Sequence, residues 1–135
     1  MYQPLNIAPT KKIVTVTIFA LISVIGLMIK LPSIFRTIDK EMHFLFYFFS
    51  AAFLNFLFTN GKVIKHLVIF IFLGGFGYLI ELFQEFSNTF FKKRIHGNFD
   101  IIGVKYNLKG LLLFSMLWFF YYVLVRLTKI NNEIS

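Results

Sequence analysis

Apolar residues in this chain fall into four long, almost uncharged stretches separated by short polar breaks, at 13–29, 42–58, 63–86 and 107–127. A helix needs about 20 predominantly apolar residues to cross the hydrocarbon core, with a range of roughly 17–25, and each stretch is about that long. The breaks carry stop signals. Lys30-Leu31-Pro32 ends the first stretch, because proline disfavours helix at the residue before it. Thr59-Asn60-Gly61 is a turn between the second and third. Residues 33–41 form a short interfacial loop. Residues 87–106 are the longest break, basic at Lys92, Lys93 and Arg94, with enough Phe and Ile to lie on the interface. The pattern predicts an all-α fold: one membrane domain over 1–135, an integral bundle of four transmembrane helices made of two helical hairpins. The first stretch reads as a retained helix. It is long for a signal-peptide core, and Met28-Ile29-Lys30-Leu31-Pro32 follows it instead of a small-residue cleavage site.

Composition agrees. The 135 residues are 58% hydrophobic and include 20 Phe, 6 Tyr and 1 Trp, more than a water-soluble fold this short can bury. Lipid is therefore the solvent for much of the surface. Lys and Arg total 14 against 6 acidic residues, a net charge of +8 that would suggest nucleic acid in a soluble domain. Here the cations gather at the ends of the apolar runs: Lys11, Lys12, Lys30, Lys62, Lys65, Lys105, Lys109, Arg126 and Lys129. That distribution suits anionic headgroups, so membrane lipids are the expected partners and nucleic acid is not. The absence of Cys excludes disulfides, thiolate metal sites and a Cys nucleophile. Gly74, Gly75 and Gly77, central in the third stretch, predict close helix packing, with a hinge as the alternative. An even number of spans puts both termini and the 59–62 turn on one side and the two longer breaks on the other. Basic residues slightly favour a cytoplasmic side for those breaks. That margin nearly vanishes once Lys40 and Arg94 are set aside as candidate functional groups.

Ionisable residues inside spans are functional candidates by default. Asp39, Lys40 and Glu41 open the second stretch, with His43 just inside and Tyr47 one turn deeper. Asp39, His43 and Tyr47 are spaced i, i+4, i+8 and share a face if the helix begins this early. Glu81 and Gln84, at i, i+3, share a face near the end of the third, with Glu85 at the rim. The topology brings both groups to one end of the bundle, with His43 and Glu81 roughly 5–8 Å inside their helix ends. Arg94 and Asp100 come from the break on the same side. Each residue also has a structural reading. Asp39 and Glu41 suit a helix start, His43 suits an interface, Arg94 suits a lipid phosphate, and Glu81 suits an internal ion pair with Arg94 or His43. As chemistry, His43 with Glu81 or Asp39 can move protons. There is no HExxH-type metal spacing, no activated Ser and no phosphate-cradling glycine loop. No metal or cofactor is therefore expected, and no catalytic residue is assigned.

Three short motifs add a resemblance. Asp39-Lys40-x-x-His43-Phe44-x-x-Tyr47 resembles the opening motif of VanZ-like membrane proteins, and Glu81-Leu82-Phe83-Gln84 resembles their second. Arg94, then Asp100, then Asn107-x-x-Gly110 resembles the third. The likeness runs from about 39 to 110. In that family the Asn follows the Asp by about four residues. Here Ile101 to Tyr106 intervene, three residues more than in the family and close to one helical turn, so a continuous helix would preserve the facing of Asn107. The loop before Arg94 lacks the family's usual Pro-Gly. The resemblance implies a bacterial cytoplasmic-membrane, cell-envelope protein of a family named for a teicoplanin-resistance determinant. Its candidate polar site is Asp39, Lys40, His43, Tyr47, Glu81, Gln84, Arg94, Asp100 and Asn107.

Two functions fit. In one, the site engages a lipid-linked or anionic headgroup, with Arg94 on the anion and His43 and Glu81 positioning or protonating it. In the other, the chain is a non-enzymatic accessory subunit whose Phe faces pack against a larger membrane protein complex. Proton-coupled transport is weaker, since Asn55 and small hydroxyls are the only polar groups near a midplane.

Overall fold

A computed structural model describes residues 7–29, 32–35, 37–93 and 99–134. Lys30 and Arg94, both weighed above, lie outside the described residues. The described chain is helical throughout: α1 (Pro9–Met28), α2 (Asp39–Phe58), α3 (Val63–Phe90) and α4 (Ile101–Ile134), with one 3-10 turn at Ser33–Phe35. All four are long and apolar enough to cross a membrane, and the protein is a multi-pass membrane bundle.

Local chemistry sets the boundaries. Pro9 occupies the first turn of α1, where its missing N–H costs nothing. Asp39 and Glu41 lie in the first turn of α2, at the positive end of its dipole. Asn60 (φ 47°) and Gly61 (φ 69°) turn the chain through left-handed geometry into α3. Asp100 starts α4: its carboxylate accepts the Ile102 N–H at 2.8 Å, the bond an N-cap makes.

All four helices outrun the apolar stretches: α1 begins at Pro9 and α2 at Asp39, ahead of 13 and 42. α3 continues beyond 86 to Phe90, and α4 begins at Ile101 and ends at Ile134, outside 107–127 on both sides. Hydropathy marks where a chain leaves hydrocarbon, whereas a helix goes on wherever its backbone bonds are made. At 34 residues α4 is about 51 Å long, well beyond a hydrocarbon core of about 30 Å. Its last turns overhang the other helices.

Successive helices alternate in direction. Lys12 Nζ near the start of α1 donates to Leu57 O near the end of α2, and Gln84 Nε2 near the end of α3 donates to Leu27 O at the end of α1. α2 and α4 therefore run parallel, and this pair packs most extensively. The reason is Gly110. A Cβ there would collide with the Phe44 carbonyl oxygen and sit 3.2 Å from Phe48 N, so only glycine lets the two backbones approach. The core is Tyr47, Ala51 and Leu54 of α2, Ile69 and Leu73 of α3, and Leu111 of α4. α1 is peripheral. It buries only Ser23 and leans on α2 through Phe19, stacked on Phe46 and tilted against Phe53.

Of the three central glycines, Gly77 carries the packing role. A Cβ there would meet Tyr47 Oη and Asn107 Nδ2, both at 2.9 Å. Gly74 would make only ordinary contact, and Gly75 faces open space.

Candidate functional site

The parallel α2–α4 contact and the end of α3 bring most of the candidate residues together. α2 begins at Asp39, so Asp39, His43 and Tyr47 do share one face, and Asp39 Oδ1 lies 3.9 Å from His43 Nε2. His43 Nδ1–H donates to Asn107 Oδ1 at 3.0 Å across the α2–α4 contact. Gly103 lies within α4, so the helix is continuous from Ile101 through Asn107 and the extra turn keeps Asn107 facing the cluster.

Glu81 is 3% exposed. One carboxylate oxygen accepts the Asp100 backbone N–H at 3.1 Å, and the other lies 3.0 Å from where a Gly103 Cβ would be. Glu85 likewise accepts the Phe99 N–H at 3.1 Å. Two carboxylates of α3 thus hold the amides that lead into α4. Gln84 is buried but turns to α1 through Leu27 O, which makes it a fastener between helices. Lys40 stands at the same end and makes no polar contact with the cluster among the described residues. Arg94, the expected anion contact, lies outside the described residues.

Tyr47 is fully buried, and its hydroxyl has no hydrogen-bond partner among the described groups. A buried, unpaired hydroxyl costs about 1–3 kcal/mol. Phe, used 20 times in this chain, would avoid that cost. The hydroxyl points at Gly77, beside Asn107 Nδ2.

A second polar network occupies the other half of the bundle. His66, 1% exposed, donates from Nδ1 to Asn55 Oδ1 at 2.7 Å and accepts at Nε2 from Ser115 Oγ at 3.0 Å. Asn55 Oδ1 also takes the Thr59 hydroxyl, and Asn55 Nδ2 donates to Ala51 O. Trp118 stacks on the imidazole at 4.2 Å. Sequence reasoning passed over His66. A usable signal was there: Asn55 and His66 are equidistant from the Asn60–Gly61 turn, so a helical hairpin sets them at one depth.

The two histidines differ in what they leave free. His66 spends both ring nitrogens on protein groups and is a saturated structural link. His43 spends Nδ1 on Asn107, which fixes the tautomer and leaves the Nε2 lone pair toward Asp39 and the bundle end. A neutral imidazole held this way accepts a proton or hydrogen bond at Nε2, and once protonated it donates there. Among the described residues no group of three or more His, Asp or Glu is arranged to hold a metal ion. Compared with family models, with curated proteins and with solved structures, the chain matches none.

Proposed function

We propose that this chain is a VanZ-like protein of the bacterial cytoplasmic membrane, with both termini on the same side. In this reading the polar cluster at one membrane face engages an anionic or lipid-linked headgroup of the cell envelope. The observation that carries it is His43: Asn107 holds one nitrogen at 3.0 Å, and the other lies 3.9 Å from Asp39 Oδ1 near the start of α2. Below it lie the unpartnered Tyr47 hydroxyl and the buried Glu81 carboxyl group. Binding is the stated role, with His43 and Glu81 orienting or protonating the ligand. Arg94 is assigned to the anion from its place in the sequence motif.

The test is teicoplanin susceptibility of a bacterial host expressing the wild type, His43→Ala or Glu81→Gln, with membrane accumulation followed by immunoblot. The expected result is a raised inhibitory concentration for the wild type only, at equal accumulation. Variants that protect as well as the wild type, or a wild type that leaves susceptibility unchanged, would remove this reading.

A second reading, an accessory subunit of a larger membrane protein complex, is favoured by α1, which buries a single residue and offers the rest of its apolar surface. It requires a stoichiometric partner on native co-purification and tolerance of both substitutions.

A further inference from the structure

At the end of the bundle opposite the polar cluster, a groove of about 460 Å³ runs between the end of α2, the 59–61 turn and the overhanging half of α4. Its volume falls in the roughly 300–1,000 Å³ range of small-molecule sites. Its walls are Ala52, Phe56, Phe114, Trp118 and Tyr121, and its floor includes Asn55 and Thr59, whose polar atoms are already committed to the His66 network. An apolar occupant therefore leaves no buried polar group of the floor unpaired. Arg126 and Lys129 stand at one end of the groove, about 12–17 Å along α4 from Trp118.

Arg126 is held in place. Its Nε donates to Tyr122 Oη at 3.2 Å and its guanidinium lies 5.4 Å from the Tyr122 ring centroid, which leaves its terminal N–H groups for another acceptor. Lys129 is exposed and only loosely paired with Glu133, at 3.8 Å. An apolar trough lined by Trp118, Tyr121 and Tyr122 and ending in two cations matches an amphiphile with a hydrocarbon chain and an anionic head.

We propose that this groove is a binding site for one anionic phospholipid, with an acyl chain along Trp118 and the phosphate on Arg126 and Lys129. The site is separate from the His43 cluster and does not depend on the function proposed for it.

Trp118 is the sole tryptophan, so its fluorescence reports the groove directly. The full chain is reconstituted in phosphatidylcholine vesicles. A minor share of the lipid is then replaced by acyl-chain-brominated phosphatidylglycerol or, at equal mole fraction, by brominated phosphatidylcholine. Non-selective lipid contact quenches Trp118 equally in both. A bound anionic lipid quenches at a lower mole fraction, by about fivefold per contributing cation and about 25-fold for both. Arg126→Gln/Lys129→Gln should abolish the difference. Lys105→Gln/Lys109→Gln, the same charge change at the other end of α4, should retain it. Equal quenching by the two lipids in the wild type, absence of quenching by either, or selectivity that survives Arg126→Gln/Lys129→Gln would each overturn the proposal.

Discussion

Replacing Gly110 with alanine drives a methyl group into the backbone of α2. The Phe44 carbonyl oxygen lies well inside the 3.0 Å that Cβ atoms keep, and Phe44 C and Phe48 N are both at 3.2 Å. These are main-chain atoms of a helix, so no rotamer change relieves the clash. The two helices must separate by on the order of 1 Å, because packed interiors have no slack to absorb it. His43 and Asn107, at 3.0 Å across the same contact, then exceed hydrogen-bonding distance. Overpacking costs about 1–3 kcal/mol and a lost interhelical hydrogen bond in a membrane adds about 0.6 kcal/mol, so Gly110→Ala should destabilise by roughly 2–4 kcal/mol. Gly75→Ala is the control. It has nothing within 4 Å, and alanine's helix propensity should leave stability unchanged or raise it by up to about 1 kcal/mol. Gly77→Ala falls between, because the Tyr47 and Asn107 atoms it would meet at 2.9 Å are side-chain termini. The assay is unfolding by SDS in mixed micelles, read through Trp118. The order Gly110 before Gly77 before Gly75 is expected. A Gly110→Ala protein that unfolds with the wild type, or a Gly75→Ala protein that unfolds as early as Gly110→Ala, would refute the close-approach argument.

Two further substitutions separate structural from candidate functional groups. Asp100→Ala removes the acceptor for Ile102 N–H and should cost about 0.5–2 kcal/mol, seen as faster amide exchange confined to the first turn of α4. His66→Phe keeps a ring against Trp118 but removes a donor from Asn55 and the acceptor for the Ser115 hydroxyl. It should cost about 1–3 kcal/mol in the same SDS assay and leave the teicoplanin phenotype of the folded protein intact. A phenotype lost at full accumulation would make His66 more than a structural link.

The amino-acid sequence determined, without help, that this chain is a four-helix membrane bundle. Length and polarity of an apolar run are local properties, and a backbone in hydrocarbon has few ways to satisfy its hydrogen bonds. The helix spacing also placed Asp39, His43 and Tyr47 on one face and Glu81 with Gln84 on another, since both follow from the 3.6-residue period. Tertiary structure decided which of these groups meet. Gln84 shares the face of Glu81 yet bonds α1, and His43 pairs with Asn107 because Gly110 lets α2 and α4 touch. Sequence spacing could not reveal that contact, because it joins two non-consecutive helices. The His66 network was missed for a related reason: its members come from three helices, and only their packing shows that every polar atom is used. The opening pattern of apolar runs and polar breaks thus prescribes how many helices there are. Backbone approach at one glycine decides which polar residues those helices hold in common.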